Sequence, residues 1–139
     1  MTLTRDDYPL AEKRPGWVKG KRGKRLSDIS LDAVMSGDVT MEDLRITPEA
    51  LNAQAEIARA AGRPTLALNF RRAAELVDVP QDEIMRVYEL LRPGRVKSKQ
   101  QLFEAATKMR EAYRAERIAR FIEEAAEVYE TRGLFKFRF

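Results

Sequence analysis

The sequence predicts an all-α chain preceded by an extended, basic N-terminal arm and ending in a long, kinked helix. Three observations predict it. From Ser30 onward apolar residues recur at helical spacing, and Ser, Thr and Pro starts alternate with Gly and Pro stops. Before Ser30 that period is missing, while Pro9, Pro15, Gly16, Gly20 and Gly23 interrupt the chain. Apolar–polar alternation, the mark of a strand, is confined to Phe135, Phe137 and Phe139, and no internal repeat is found.

Each element has a local reason. In residues 1–29 Tyr8, Leu10, Trp17 and Val18 stand among charges, so the arm is expected to dock on a partner surface rather than float. Ser30 caps a short helix to Ser36, with Gly37 beyond its end, and Thr40 with Asp43 and Leu44 marks a further single turn. Thr47-Pro48-Glu49 is a cap, a proline at the first helical position and an acid near the positive end. The helix it starts runs to Ala61, is stopped by Gly62, and has an inner face of Leu51, Ala55 and Ala58 suited to close packing. Pro64 opens the next helix, which carries Leu66, Phe70, Ala73, Ala74 and Val77 and ends before Pro80. Residues 81–91 place Ile84, Val87, Tyr88 and Leu91 on one face, and Arg92-Pro93-Gly94 ends that helix.

Ser98 with Gln101 forms a capping box, and helical pattern continues to Arg132. One seam runs through Leu102, Ala106, Met109 and Tyr113. Its continuation falls on Glu116 and Arg117, and a second seam restarts at Ile118, Phe121, Ile122, Ala125, Val128 and Tyr129. One straight helix cannot bury both seams, so a kink, break or change of partner is expected at residues 114–117. The organisation predicted is an arm over residues 1–29, a helical domain over 30–133 and an aromatic tail over 134–139.

Composition limits the chemistry. The 139 residues contain no cysteine and no histidine, which removes disulfides, thiolate chemistry, the usual structural zinc sites and the commonest general base. No apolar run approaches membrane-spanning length and no secretory h-region opens the chain, so a cytoplasmic protein is expected. The net charge of +4 is local. Residues 13–25 carry seven basic side chains and no acid, and removing those seven from 26 Lys+Arg leaves 19 against 22 Asp+Glu, a net −3.

The same composition limits the candidate sites. Glu123, Glu124, Glu127 and Glu130 lack the histidines of a di-iron motif and read as a solvated helix face with pairs such as Glu116–Arg120 and Arg120–Glu124. Gly16-Trp17-Val18-Lys19-Gly20-Lys21 has the wrong spacing for a phosphate loop. No catalytic, cofactor-binding or metal-ligating residue is assigned. Arg71 is placed either in a salt bridge with Glu75 one turn on or in a bidentate pair with a partner carboxylate. The basic arm with Trp17 leaves a second reading open, a free-standing helical protein that binds nucleic acid.

One further set of residues bears on function. Asp7-Tyr8-Pro9-Leu10, Trp17, Asp28-Ile29-Ser30-Leu31 with Val34, Arg45-Ile46-Thr47 with Leu51, Asn69 to Leu76, Ile84 with Tyr88, Leu91-Arg92-Pro93 and Ala125-Ala126-Glu127-Val128-Tyr129 occur in that order. In them the chain resembles the small (gamma) subunit of adenosylcobalamin-dependent diol and glycerol dehydratases. The resemblance implies a non-catalytic subunit that stabilises a large TIM-barrel catalytic subunit. A medium subunit completes a heterotrimer, and two heterotrimers pair. It implies adenosylcobalamin held by the other subunits and a radical conversion of 1,2-propanediol or glycerol to an aldehyde and water. Tyr8, Pro9, Leu10, Trp17, Phe70 and Arg71 are the expected subunit-interface residues. Departures from the family pattern are Arg14 where histidine is common, the strongly basic run from Lys19 to Arg25, and the aromatic tail. With Met1 six residues before Asp7, no microcompartment-targeting extension is expected.

Overall fold

A computed structural model describes residues 2–136. Among them every regular element is helical, and the one β-type pairing is an isolated bridge between Lys19 and Arg25. The helices are α1 (Leu10–Lys13), α2 (Leu31–Met35), α3 (Met41–Leu44), α4 (Pro48–Ala60), α5 (Pro64–Leu76), α6 (Gln81–Leu91), α7 (Lys99–Tyr113) and α8 (Glu116–Thr131). Single 3-10 turns at Arg5–Asp7, Pro15–Trp17 and Leu26–Asp28 punctuate the N-terminal segment. The chain divides into two compact units between Val77 and Asp78.

The first unit is built on the α4–α5 pair. Ala55 and Ala58 of α4 meet Ala67 of α5, with Leu66 and Phe70 packed at the margin. The alanine-rich face does what the sequence predicts, since small side chains let two helix backbones pack closely. Thr47 caps α4, its hydroxyl accepting from the Ala50 N–H at 3.2 Å, with Pro48 at the first helical position.

The N-terminal segment is not an extended arm. Leu3 and Leu10 are buried with Ile57 of α4, with Val18 and Ala53 packed against them, and the Leu3 N–H donates to Glu56 Oε2 at 3.1 Å. By its contacts this segment belongs to the first compact unit, residues 1–77. Short turns every few residues let alternate apolar side chains reach α4, which an extended reading of the Pro and Gly pattern overlooks.

In the second unit α7 and α8 form an antiparallel hairpin. Leu102, Ala105, Ala106 and Met109 of α7 and Ile118, Ala119, Ile122 and Ala126 of α8 are buried, while Phe121 and Val128 of the expected second seam are exposed. The long kinked helix is replaced by two helices. Arg114 takes a left-handed conformation (φ 55°) and the Ala115 N–H closes on the Met109 carbonyl at 3.0 Å, so the chain reverses where the seam changes face. Ser98 caps α7 by accepting from Gln101 N–H at 3.3 Å. Gln101 Oε1 reaches back to Lys97 N–H at 3.2 Å, one residue beyond the expected box partner. The α6 helix is tied to the hairpin by Lys108 Nζ on Glu83 at 2.6 Å and by the Tyr129 hydroxyl, which donates to the Leu91 carbonyl.

Candidate functional site

The interface residues expected from sequence gather around α4 and α5. Tyr8 and Phe70 line one cleft of about 320 Å³, floored by Ile57, Ala58 and Leu66 and flanked by Arg5 and Arg63. Trp17 lines a second cleft of about 370 Å³ with Leu3, Lys19, Asn52, Ala53 and Glu56. Tyr8 is 61% exposed and Trp17 46%, so both rings offer apolar area that this chain leaves uncovered. Pro9, Phe70 and Arg71 are half-buried. Leu10 differs from the rest, because Leu3 and Ile57 already cover it and little of it is left for a partner.

Two buried aspartates hold the loops that carry these groups, and the sequence reading passed over their role. Asp7 accepts from the Thr4 N–H at 2.8 Å and the Thr4 hydroxyl at 3.2 Å, and its other oxygen takes Arg14 Nε at 2.7 Å. Asp43 repeats the device: the Thr40 N–H donates to it at 2.9 Å and Arg22 grips it, Nε at 2.9 Å and Nη2 alongside. Both carboxyls are held below the usual carboxylate range. For Asp7 the backbone donor at Thr4 is the first cause. For Asp43 the Arg22 guanidinium comes first and the Thr40 N–H second, and its pKa is lowered to about 2. The visible signal was the repeated Thr-x-x-Asp at Thr4-Arg5-Asp6-Asp7 and Thr40-Met41-Glu42-Asp43, each with an arginine to spare in the basic run.

Three members of the basic run, Arg14, Arg22 and Lys24, are folded into this chain. The Gly20 N–H donates to the Lys24 carbonyl at 2.8 Å in a tight turn that presents Arg22 to Asp43 and to the Asp38 carbonyl, while Lys24 Nζ reaches Asp38 at 2.6 Å. Gly20 is required by space, since a Cβ there would lie 2.6 Å from the Asp43 carbonyl oxygen. Arg14, Arg22 and Lys24 each form an ion pair with an aspartate of this chain.

The acidic stripe of α8 is also engaged, across the hairpin as well as along it. Arg110 bridges Glu116 at 2.7 Å and Glu123 at 2.9 Å, Arg120 pairs with Glu116 at 3.0 Å, and Lys99 pairs with Glu127 and Glu130 at 2.9 and 2.6 Å. Arg110 and then Arg120 lower the Glu116 pKa, as carboxylates in ion pairs require. Among the described residues no group of acidic side chains is arranged to hold a metal ion, and no helix is long and apolar enough to cross a membrane. Phe135 of the tail is half-buried and meets Tyr129 edge-on at 6.3 Å; Phe137 and Phe139 lie outside the described residues.

Comparison with known proteins identifies the family. The family described as dehydratase small subunit matches residues 3–136. The propanediol dehydratase small subunit of Citrobacter freundii is 49% identical over 130 residues, covering 94% of this chain and 75% of the relative. The propanediol dehydratase small subunit of Salmonella typhimurium is 48% identical over the same shares. Identity at that level along almost the whole chain admits one conclusion: the chain belongs to the dehydratase small-subunit family.

Proposed function

We propose that this chain is the non-catalytic small subunit of an adenosylcobalamin-dependent dehydratase that converts 1,2-propanediol or glycerol to the aldehyde and water in the cytoplasm. It stabilises a large TIM-barrel catalytic subunit, its main contact, alongside a medium subunit in a dimer of heterotrimers. The observation that carries the reading is the 49% identity to a propanediol dehydratase small subunit over 94% of the chain. Physical features support the division of labour. The sequence has no histidine or cysteine, and the clefts beside Tyr8 and Trp17, at about 320 and 370 Å³, are the size of a small-ligand pocket rather than of a corrinoid macrocycle. These residues do not fit adenosylcobalamin, and the cofactor belongs to the other subunits.

Tyr8, Pro9, Trp17, Phe70 and Arg71 are the contacts proposed for the large subunit, with Leu10 supporting them from beneath. The test is reconstitution. The purified chain is expected to bind neither adenosylcobalamin nor a diol in equilibrium dialysis, and activity is expected once large and medium subunits are added. Trp17→Ala is expected to weaken assembly by about 2 kcal/mol, as interface aromatics do, while leaving the helical signal of the chain in place. Stoichiometric binding of the cofactor to the lone chain would refute the proposal.

A further inference from the structure

We infer that the cleft between Tyr8 and Phe70 is an anchor pocket of defined chemistry: it receives an apolar side chain of the large subunit, while Arg5 and Arg63 take a carboxylate next to that side chain. The inference rests on the reading of this chain as a dehydratase subunit. It adds to that reading two residues and the chemistry of the group they meet.

The cleft lies wholly within the first unit. Its floor of Ile57, Ala58 and Leu66 is aliphatic, and Tyr8 and Phe70 add aromatic surface. At about 320 Å³ it has room for one large apolar side chain, since an apolar cavity of about 150 Å³ already accepts benzene. The residues that line it include two cations, Arg5 and Arg63, and no acid.

Those two charges are available. Arg14, Arg22 and Lys24 each meet an aspartate of this chain. Among the described residues the side chains of Arg5 and Arg63 make no ion pair and no hydrogen bond. Their backbones are nevertheless fixed. The Tyr8 N–H donates to the Arg5 carbonyl at 3.2 Å, in the turn that Asp7 caps. The Arg63 N–H donates to the Ala58 carbonyl at 2.9 Å, and the Arg63 carbonyl accepts from the Ala67 N–H at 3.0 Å. A lone exposed arginine is ordinary. Two rooted in separate elements around one uncovered apolar cleft are pre-organised for an occupant that is apolar and anionic together.

The guanidinium fork matches a carboxylate, and filling the cleft beside it would exclude water and strengthen the pair. A nucleotide would bring an anion, but it would set a polar base on an aliphatic floor. A second copy could offer its exposed Tyr88 with Glu89, yet Glu89 already accepts from Arg92 at 3.2 Å. An apolar residue flanked by aspartate or glutamate on the large subunit meets both demands.

The experiment co-expresses the chain with the large and medium subunits and measures the dissociation constant at low and high salt. It compares wild type, Arg5→Gln with Arg63→Gln, Arg5→Glu with Arg63→Glu, and the control Arg59→Gln with Arg95→Gln, which removes the same charge from exposed positions outside the cleft. Circular dichroism of each variant checks the fold. The glutamine pair is expected to weaken association by roughly tenfold at low salt and less at high salt, the glutamate pair more, and the control to match wild type. Photocrosslinking from Tyr8→p-benzoylphenylalanine, which keeps the ring, then identifies the occupant. The expected product is a large-subunit peptide with an acid beside an apolar residue, and changing that acid to lysine is expected to restore binding to the glutamate pair. Wild type that fails to associate sinks the subunit reading and the pocket with it. Wild type that associates while the glutamine pair binds as tightly, or while the control weakens equally, overturns the pocket alone. A crosslink to a peptide without an acid, to the medium subunit, to a second copy or to nucleic acid overturns the assigned occupant, as does failure of the charge swap.

Discussion

Leu10→Ala separates an N-terminal segment that belongs to this chain's core from one that belongs to a partner. The substitution removes three carbons from a side chain that is 4% exposed and packed on Leu3 and Ile57. At about 0.8 kcal/mol per buried carbon the transfer loss is roughly 2.4 kcal/mol, and the half-exposed margin at Val18 lets the site relax, so little is added for a cavity. An expected loss of about 2–3 kcal/mol corresponds to roughly 8–24 °C in the melting midpoint of a domain of 60–100 residues. The assays are urea denaturation followed by circular dichroism and hydrogen exchange of the α4 amides around Ile57. Exchange there is expected to accelerate in the variant even without partner chains. If stability and α4 protection stay within about 0.5 kcal/mol of wild type, the ordinary range for a surface substitution, while subunit retention falls, then residues 1–29 gain their structure from a partner and the core assignment is wrong.

Three other outcomes are expected. The Asp43 carboxyl has its folded pKa lowered from 3.8 to about 2, so its contribution to stability is present above pH 4 and is lost as pH falls toward 2. Acid titration of the urea midpoint should show that loss, flattened in Asp43→Asn against a lower baseline. Gly20→Ala should loosen the Arg22–Asp43 contact and lower the melting point, whereas Gly16→Ala, with nothing within 4 Å of its new Cβ, should be close to neutral by the same melt. Arg114→Gly should stabilise the α7–α8 turn by up to about 1 kcal/mol, because a left-handed residue with a Cβ carries that order of strain, and chemical denaturation of the second unit would read it.

What the sequence disclosed and what it hid divide along a physical line. Helix starts and stops from Ser30 to Leu91 are local, written in caps, prolines and glycines a few residues apart, and the structure follows them closely. The fault near Arg114 was visible as a change of buried face, but whether it makes a kink or a reversal depends on whether the two seams meet each other, which is a tertiary fact. The N-terminal segment misled because Leu3 and Leu10 find their partner at Ile57, some fifty residues away, and no local pattern records that. Tyr8, Trp17 and Phe70 were singled out because aromatics beside prolines or charges stand out. The burial of Asp7 and Asp43 and their pairing with arginine were not legible, because an aspartate among 22 acids looks solvated until its arginine is placed.

The α7–α8 hairpin poses a problem of registration. Its seam sets Ala105, Ala106, Ala119 and Ala126 among Leu102, Met109, Ile118 and Ile122, so the large side chains fix most of the register and the small ones leave part of it to be set otherwise. Charge supplies the detents. Lys99 engages Glu127 and Glu130 at the open end, and Arg110 engages Glu116 and Glu123 near the turn. A slip of one turn, about 5.4 Å, would break both sets at once. Such pairs add little to stability individually, yet together they reinforce the alignment that the packing of Leu102, Met109 and Ile122 selects. High ionic strength should therefore blur the hairpin's register before it lowers its helicity.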